Sequence, residues 1–258
     1  MDDQHLLRYS RHILLDELGP DAQAKFGAAH ALVIGVGGLG APVAQFLTAA
    51  GVGTLTLCDA DSVDLTNLQR QILYATADVG RPKVDAAAAR LAAINPDVEL
   101  RRIARRVAGD DLARLVAAAD VVIDCCDNFD TRHAVNRACV ASRKPLVSGA
   151  AIRFDGQLAV FDTRDPSSPC YHCLFGEGEA VEETRCATMG VFAPLVGIVG
   201  STQAAEALKL IAGAGQSLAG RLLLLDALAM EWREVRVPRD PGCAVCRNRP
   251  TPRPLEVQ

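Results

Sequence analysis

Short apolar runs alternate with longer amphipathic stretches through the first 150 residues. HALVIG is an apolar run that ends on glycine, which suits a buried strand entering a tight turn. APVAQFLTAAGVG then carries helical spacing and closes on glycine, and TLTLCDAD is a second strand with acids at its C-terminal edge. RPKVDAAAARLAAINP predicts an alanine-rich helix and VELRRIA a strand; a helix from Asp110 to Ala118 leads to the strand ADVVIDCCDN, and TRHAVNRACVASR to the strand KPLVSGA. Strand and helix recur about every 20 to 25 residues, which predicts parallel strands joined by crossover helices. Beyond Ala150 the pattern changes. IRFDGQLAVFD reads as a hairpin turning at Asp155-Gly156, because a D-G pair between alternating runs is a turn signal. Phe175 to Thr184, rich in glycine and glutamate, predicts a mobile surface loop. APLVGIVGSTQAAEALKLIAG is a long apolar helix, RLLLLDALAMEWREVRV supplies two more strands, and NRPTPRPLEVQ is a frayed tail. The expected fold is α/β: a doubly wound, largely parallel sheet with a C-terminal antiparallel extension, in one domain over residues 1–258.

Composition removes several function classes. Half of the 258 residues are hydrophobic and the formal net charge is −4, so the chain is not expected to be disordered or to bind nucleic acid through a positive field. The start, MDDQHLLRYSRH, has acids where a signal peptide needs a basic flank. No apolar run is expected to reach the roughly 18 residues of a membrane span. A cytoplasmic protein without a membrane partner is the expectation.

The chemistry begins with Gly35, Gly37 and Gly40, a G-x-G-x-x-G placed between a strand and a helix, with Gly38 inside it. Glycine lets the backbone approach a phosphate, and a helix N-terminus offers free N–H groups. Asp59, nineteen positions after Gly40 at the end of the next strand, is placed to bond ribose hydroxyls. Together they predict an adenosine site. DSVDLTNLQRQ then brings Asn67, Arg70 and Gln71, and RPKVD brings Lys83. Two cations that close to a nucleotide suit a polyphosphate whose charge grows during transfer, although each alone could be a solvated surface charge. The glycine motif by itself also fits an NAD- or FAD-dependent oxidoreductase.

Nine cysteines include two C-x-x-C pairs, Cys170/Cys173 and Cys243/Cys246. In a reducing compartment such pairs point to metal, and four thiolates in this pattern predict a closed, structural Zn²⁺ site. Cys58, Cys125, Cys126 and Cys139 read as core. Cys186 stands alone at the end of the predicted loop, beside Arg185, which favours thiolate. Of the histidines, His12, His30, His133 and His172 pair with no nucleophile, and none is given a role.

RYSRHILL, GVGGLGAPVAQFLTAAGVGTLTLCDAD, SVDLTNLQRQ, VGRPKV, DCCDN, PLVSGAAIRFDGQ, CYHC and PGCAVC together resemble the MoeB/ThiF/HesA family, relatives of the ubiquitin-activating enzymes, from about Arg8 to Cys246. The resemblance implies a Rossmann-like adenylyltransferase: ATP-dependent adenylation of the C-terminal Gly-Gly carboxylate of a ubiquitin-like sulfur-carrier protein, MoaD- or ThiS-like. It implies an ATP site at Gly35 to Gly40 with Asp59 on the ribose, and phosphate contacts from Asn67, Arg70 and Lys83. Asp127, in DCCDN, would hold Mg²⁺; the alternative reading is a cap for the helix beginning near Thr131. Arg11 would reach the ATP of the opposite subunit, which implies a homodimer. The four paired cysteines match zinc ligands, and Cys186 lies in a region where a cysteine of similar proteins can take part in sulfur transfer; unless Cys186 carries it, the sulfur comes from a separate donor. The chain then divides into N-terminal helices (1–30), a nucleotide-binding half (31–150), a carrier-binding and zinc half (151–248) and a tail (249–258). Two rival readings remain, the oxidoreductase and a non-catalytic, zinc-bearing nucleotide scaffold.

Overall fold

The structure is a computed structural model, and it describes residues 1–177 and 189–249. The predicted alternation holds from β1 (His30–Ile34) to β5 (Leu146–Ile152). Between them lie α4 (Gly40–Ala49), β2 (Thr54–Cys58), α5 (Lys83–Ile94), β3 (Glu99–Ile103), α6 (Gly109–Ala118), β4 (Val121–Asp124) and α7 (Phe129–Ser142). Three helices precede them: α1 (Asp3–Arg8), α2 (Ser10–Ile13) and α3 (Gly19–Ala28). After β5 come β6 (Asp155–Phe161), α8 (Tyr171–Leu174), α9 (Ala193–Ala212), β7 (Arg221–Asp226) and β8 (Glu231–Arg236).

One eight-stranded sheet has the order β3-β2-β1-β4-β5-β6-β7-β8. The first five strands in that order run parallel, and β6, β7 and β8 are antiparallel additions. The chain starts in the middle, at β1, and winds outward first to one side and then to the other, so the order reverses between β1 and β4. In such sheets ligands bind outside the C-terminal strand edges at that reversal.

Alternation along each strand divides the core in two. Ala31 and Val33 face a cluster built with α4, α5 and α9, whereas Leu32 and Ile34 face one built with α6 and α7. Both faces are covered, which is why these strands read as continuous apolar runs. β8, at the free edge, is exposed along its whole length and alternates charge with Trp232 and Val235.

Two expectations are corrected. The hairpin forms, but its turn is Arg153-Phe154, because Ile152 pairs with Asp155. Arg153 adopts the left-handed conformation there, φ 52°. Gly156 sits inside β6 instead, where a β-carbon would stand 2.9 Å from Leu195 and Val199 of α9. The glycine marks a close helix–sheet approach. The second correction concerns α9, which is long and apolar enough to cross a membrane, by length and composition, where no such run was expected. More than half of that stretch is buried in this fold, and its fully buried Gln203 donates to the carbonyls of Asp124 and Val147 at 2.8 and 3.4 Å.

α9 owes its position to Gly200. A β-carbon there would come within 2.4 Å of the Leu39 carbonyl oxygen, whereas at Gly197, one turn earlier, it would meet nothing within 4 Å. Gly200→Ala is therefore expected to destabilise the fold by about 1–3 kcal/mol, as overpacking does. Gly197→Ala should be neutral or stabilising by up to about 1 kcal/mol through helix propensity. Paired thermal unfolding of the two variants checks the opposite signs.

Candidate nucleotide site and sulfur tetrad

The turn from β1 into α4 has to fold back on itself within a few residues. Gly35 takes φ 88°, and a β-carbon there would stand 2.8 Å from the Cys125 carbonyl oxygen at the end of β4. One on Gly40 would stand 2.0 Å from the Gly35 carbonyl oxygen. Both glycines are demanded by backbone packing. Gly38 is closed off by Val196 of α9, with 3.2 Å left for a β-carbon. Gly37 differs, since a β-carbon there meets only the Gln71 side chain, at 3.5 Å. The fold itself does not need glycine at that position, so the space it leaves is available to a ligand that approaches the backbone.

The peptide of Val36, in the middle of this turn, is held from both sides. Its N–H donates to Asp59 Oδ2 at 2.8 Å, and its carbonyl accepts from the Tyr74 hydroxyl at 2.6 Å. Asp59 Oδ1 accepts from the Asp61 N–H at 2.9 Å. Burial pushes the Asp59 carboxyl above the usual carboxylate range, against the pull of nearby Lys83 and of both N–H donors. A carboxylate held in that environment gains from further donors such as hydroxyl groups.

Asn67 and Arg70 lie on the irregular segment from Leu65 to Tyr74, whose Gln71 and Tyr74 touch the glycine turn. Arg70 donates to the Thr66 carbonyl at 3.1 Å and Asn67 to Thr66 Oγ1 at 3.3 Å. Gln71 is buried, and its Oε1 has no hydrogen-bond partner among the described residues. A buried amide oxygen left so beside an open glycine fits a site for a polar ligand. Lys83, the first residue of α5, is only 5% exposed, which excludes the solvated-charge alternative for it. Its ammonium pairs with Asp61 Oδ2 at 2.8 Å, a partner with an exposed side chain.

Asp127 lies in the loop after β4, next to the glycine turn across the sheet reversal. It is exposed and makes no hydrogen bond or ion pair among the described residues. The helix cap is Asn128, whose Oδ1 accepts from the Thr131 N–H at 3.0 Å, and α7 starts at Phe129. Asp127 is thus left without a local structural duty. Sequence reading missed what fixes its loop. Asp124, fully buried, accepts from the Cys126 N–H and from Ser148 Oγ. The buried Arg132 bonds the carbonyls of Cys126 and Gly149 at 2.6 and 2.9 Å. Asp124 is the first acid of DCCDN and Asp127 the second; the first is buried and the second exposed.

Arg11 is not brought to this site in its own chain. Two residues before it, Tyr9 packs on Gly51 after the end of α4 and accepts a hydrogen bond from Asn95, after the end of α5, at 2.8 Å. The glycine turn lies at the start of α4, roughly 15 Å away along that helix.

The second cluster forms as expected. Cys170, Cys173, Cys243 and Cys246 bring four sulfurs within 4.8 Å of one another, with separations of 3.9, 3.7 and 3.5 Å along three of the edges. A tetrahedral Zn–S distance of about 2.3 Å implies edges of about 3.8 Å, so the set fits zinc. Three of the four are buried, and the Cys170 thiol draws the Cys173 thiol beside it below the usual thiol range. Cys58, Cys125 and Cys139 are buried core thiols, and burial lifts the Cys58 thiol to about 12. Cys126 is partly buried. Cys186 and most of the predicted loop around it lie outside the described residues.

A profile of the ThiF family matches residues 9–245, nearly the whole chain. The chain belongs to the ThiF family. It is 44% identical over 249 residues to the molybdopterin-synthase adenylyltransferase of Escherichia coli, covering 95% of this chain and 98% of that protein. With the sulfur carrier protein ThiS adenylyltransferase of the same organism it shares 46% identity over 246 residues, 95% of this chain and 97% of that one. Its fold also matches the crystal structure of E. coli MccB with MccA-N7isoASN, at a TM-score of 0.81, 24% identity, and coverage of 94% and 75% of the two chains. For this ThiF-family member the tetrad generates a direct expectation. The purified protein should carry one zinc, and Cys170→Ser should lose it and unfold more easily by about 3 kcal/mol or more. Elemental analysis and thermal unfolding check both.

Proposed function

We propose that this protein is an ATP-dependent adenylyltransferase that activates the C-terminal Gly-Gly carboxylate of a small ubiquitin-like sulfur-carrier protein, releasing pyrophosphate. The reading rests above all on one observation: a buried cation, Lys83, neighbours the acid that braces the open glycine turn. Hydride transfer to a nicotinamide has no growing phosphate charge for that cation to offset, whereas nucleotidyl transfer does. High identity to two adenylyltransferases over nearly their full lengths supports the same choice.

The chemistry follows from the substrate. A terminal carboxylate is a poor electrophile because it is anionic and its leaving group would be oxide. Its oxygen attacks the α-phosphorus of ATP, pyrophosphate departs, and the acyl-adenylate that remains accepts a sulfur nucleophile. The protein supplies alignment and charge and needs no covalent nucleophile for this step. Gly37 gives the phosphates access to the backbone, Asp59 accepts from the ribose hydroxyls, and Asn67, Arg70 and Lys83 bind the polyphosphate. Lys83 exchanges Asp61 for phosphate oxygens as the nucleotide enters. Asp127 is the carboxylate that would hold Mg²⁺, and the cation would supply positive charge against the phosphates. Arg11 acts from a second copy of the chain in a homodimer, since its own site lies at the other end of α4. The sulfur comes from a separate protein or is carried by Cys186, and the setting is the cytoplasm.

ATP–pyrophosphate exchange tests the proposal directly. Exchange should require a Gly-Gly carrier, and Arg70→Ala and Asp127→Ala should each lower it about 10²-fold or more. Absence of exchange with every such carrier, in protein that binds ATP, overturns the reading. The Asp59 carboxyl adds a pH signature. Its pKa is raised, so nucleotide affinity should fall as pH drops and the acid loses the negative charge that strengthens hydrogen bonds from hydroxyls. Asp59→Asn should flatten that dependence in calorimetric titrations.

A further inference from the structure

A second set of ligand atoms lies on the α6/α7 side of the sheet, among residues that sequence reading left without a role. His133, His172 and Glu177 each offer one atom, and the three atoms lie within 4.8 Å of one another. His133 belongs to α7, His172 to α8, and Glu177 follows α8. The two imidazoles meet edge to face with ring centres 5.8 Å apart, and His133 Nδ1 stands 3.6 Å from Glu177 Oε1.

The nitrogens themselves point to a missing ligand. Nδ1 of His133 and Nδ1 of His172 are both shielded from solvent and have no hydrogen-bond partner among the described residues. His133 as a whole is only 7% exposed. Buried ring nitrogens are normally satisfied, so an unpartnered nitrogen on each of two histidines that cluster with a carboxylate needs an explanation. Ring packing gives none, since Tyr171 meets His133 edge to face at 5.3 Å and bonds neither nitrogen.

We propose that His133, His172 and Glu177 bind one divalent transition-metal ion at a site separate from the sulfur tetrad. Two imidazoles and one carboxylate suit Zn²⁺, Co²⁺, Ni²⁺ or Fe²⁺, whereas Mg²⁺ and Ca²⁺ prefer all-oxygen sets. Three protein ligands leave a coordination position for water. Arg137, one turn along α7 from His133, pairs with Glu177 Oε1. That guanidinium holds the carboxylate near the histidines, and its charge makes the site weaker than the tetrad, to which no histidine contributes. The metal would tie α7 to the segment that follows Cys173.

The test uses the full chain with its tetrad filled by one equivalent of zinc, titrated with Co²⁺. A second equivalent should bind and show ligand-field bands without thiolate-to-metal charge transfer. His133→Asn, His172→Asn and Glu177→Gln should each weaken that equivalent at least about tenfold while tetrad zinc stays at one per chain. His133 is in the core, so the half-buried His172 gives a variant whose result does not depend on core packing. Failure of the folded wild-type protein to take a second equivalent overturns the proposal. So does a second equivalent that survives unweakened in zinc-loaded His172→Asn.

Discussion

The contact between the start of α4 and the turn that precedes it is the constraint on which the parallel half of the sheet depends. A β-carbon at residue 40 would stand 2.0 Å from the Gly35 carbonyl oxygen, so helix and turn can meet only as glycine on backbone. That approach aims the first free N–H groups of the helix across the turn. It also brings the end of β4 against Gly35, and with it the loop that carries Asp127. Tyr74 and Asp59 then lock the Val36 peptide between them. The turn is thus rigid before any ligand arrives, which lowers the ordering cost of binding.

A second level of organisation joins the two halves of the chain through α9. Its Gly200 lies on α4, its Val196 covers Gly38, and its Gln203 reaches the strand ends on either side of the Asp124 network. Elements from beyond residue 190 therefore support the glycine turn made by residues 35–40. The tetrad performs a comparable task near the C-terminus. It fastens Cys243 and Cys246 to the segment at Cys170 and Cys173, 73 positions earlier. A small cluster of this kind has little apolar area of its own, so a metal can supply what burial does not.

How far the site could be read from sequence differs by residue. The glycine turn, Asp59 and the two C-x-x-C pairs carry local signatures, because each demands particular residue types at fixed spacing. Lys83 looked as much like a surface charge as a ligand, and only its burial under the turn separated the two. Asn128 rather than Asp127 caps α7, a distinction that rests on which side chain accepts the Thr131 N–H. The D-G pair failed as a turn marker because tertiary packing claimed the glycine. Arg153 took the strained turn position instead, and Gly156 made room for α9.

By itself the sequence determined the alternation of strands and helices, the glycine turn and the two C-x-x-C pairs. Those features follow from local periodicity and from chemistry confined to a few neighbouring residues. Only the tertiary structure decided which acid of DCCDN is buried, that Arg11 stands at the far end of α4 from its own glycine turn, and that His133 and His172 converge with Glu177. Each of these depends on distances between segments remote in the chain, and such distances are set by packing against a common sheet.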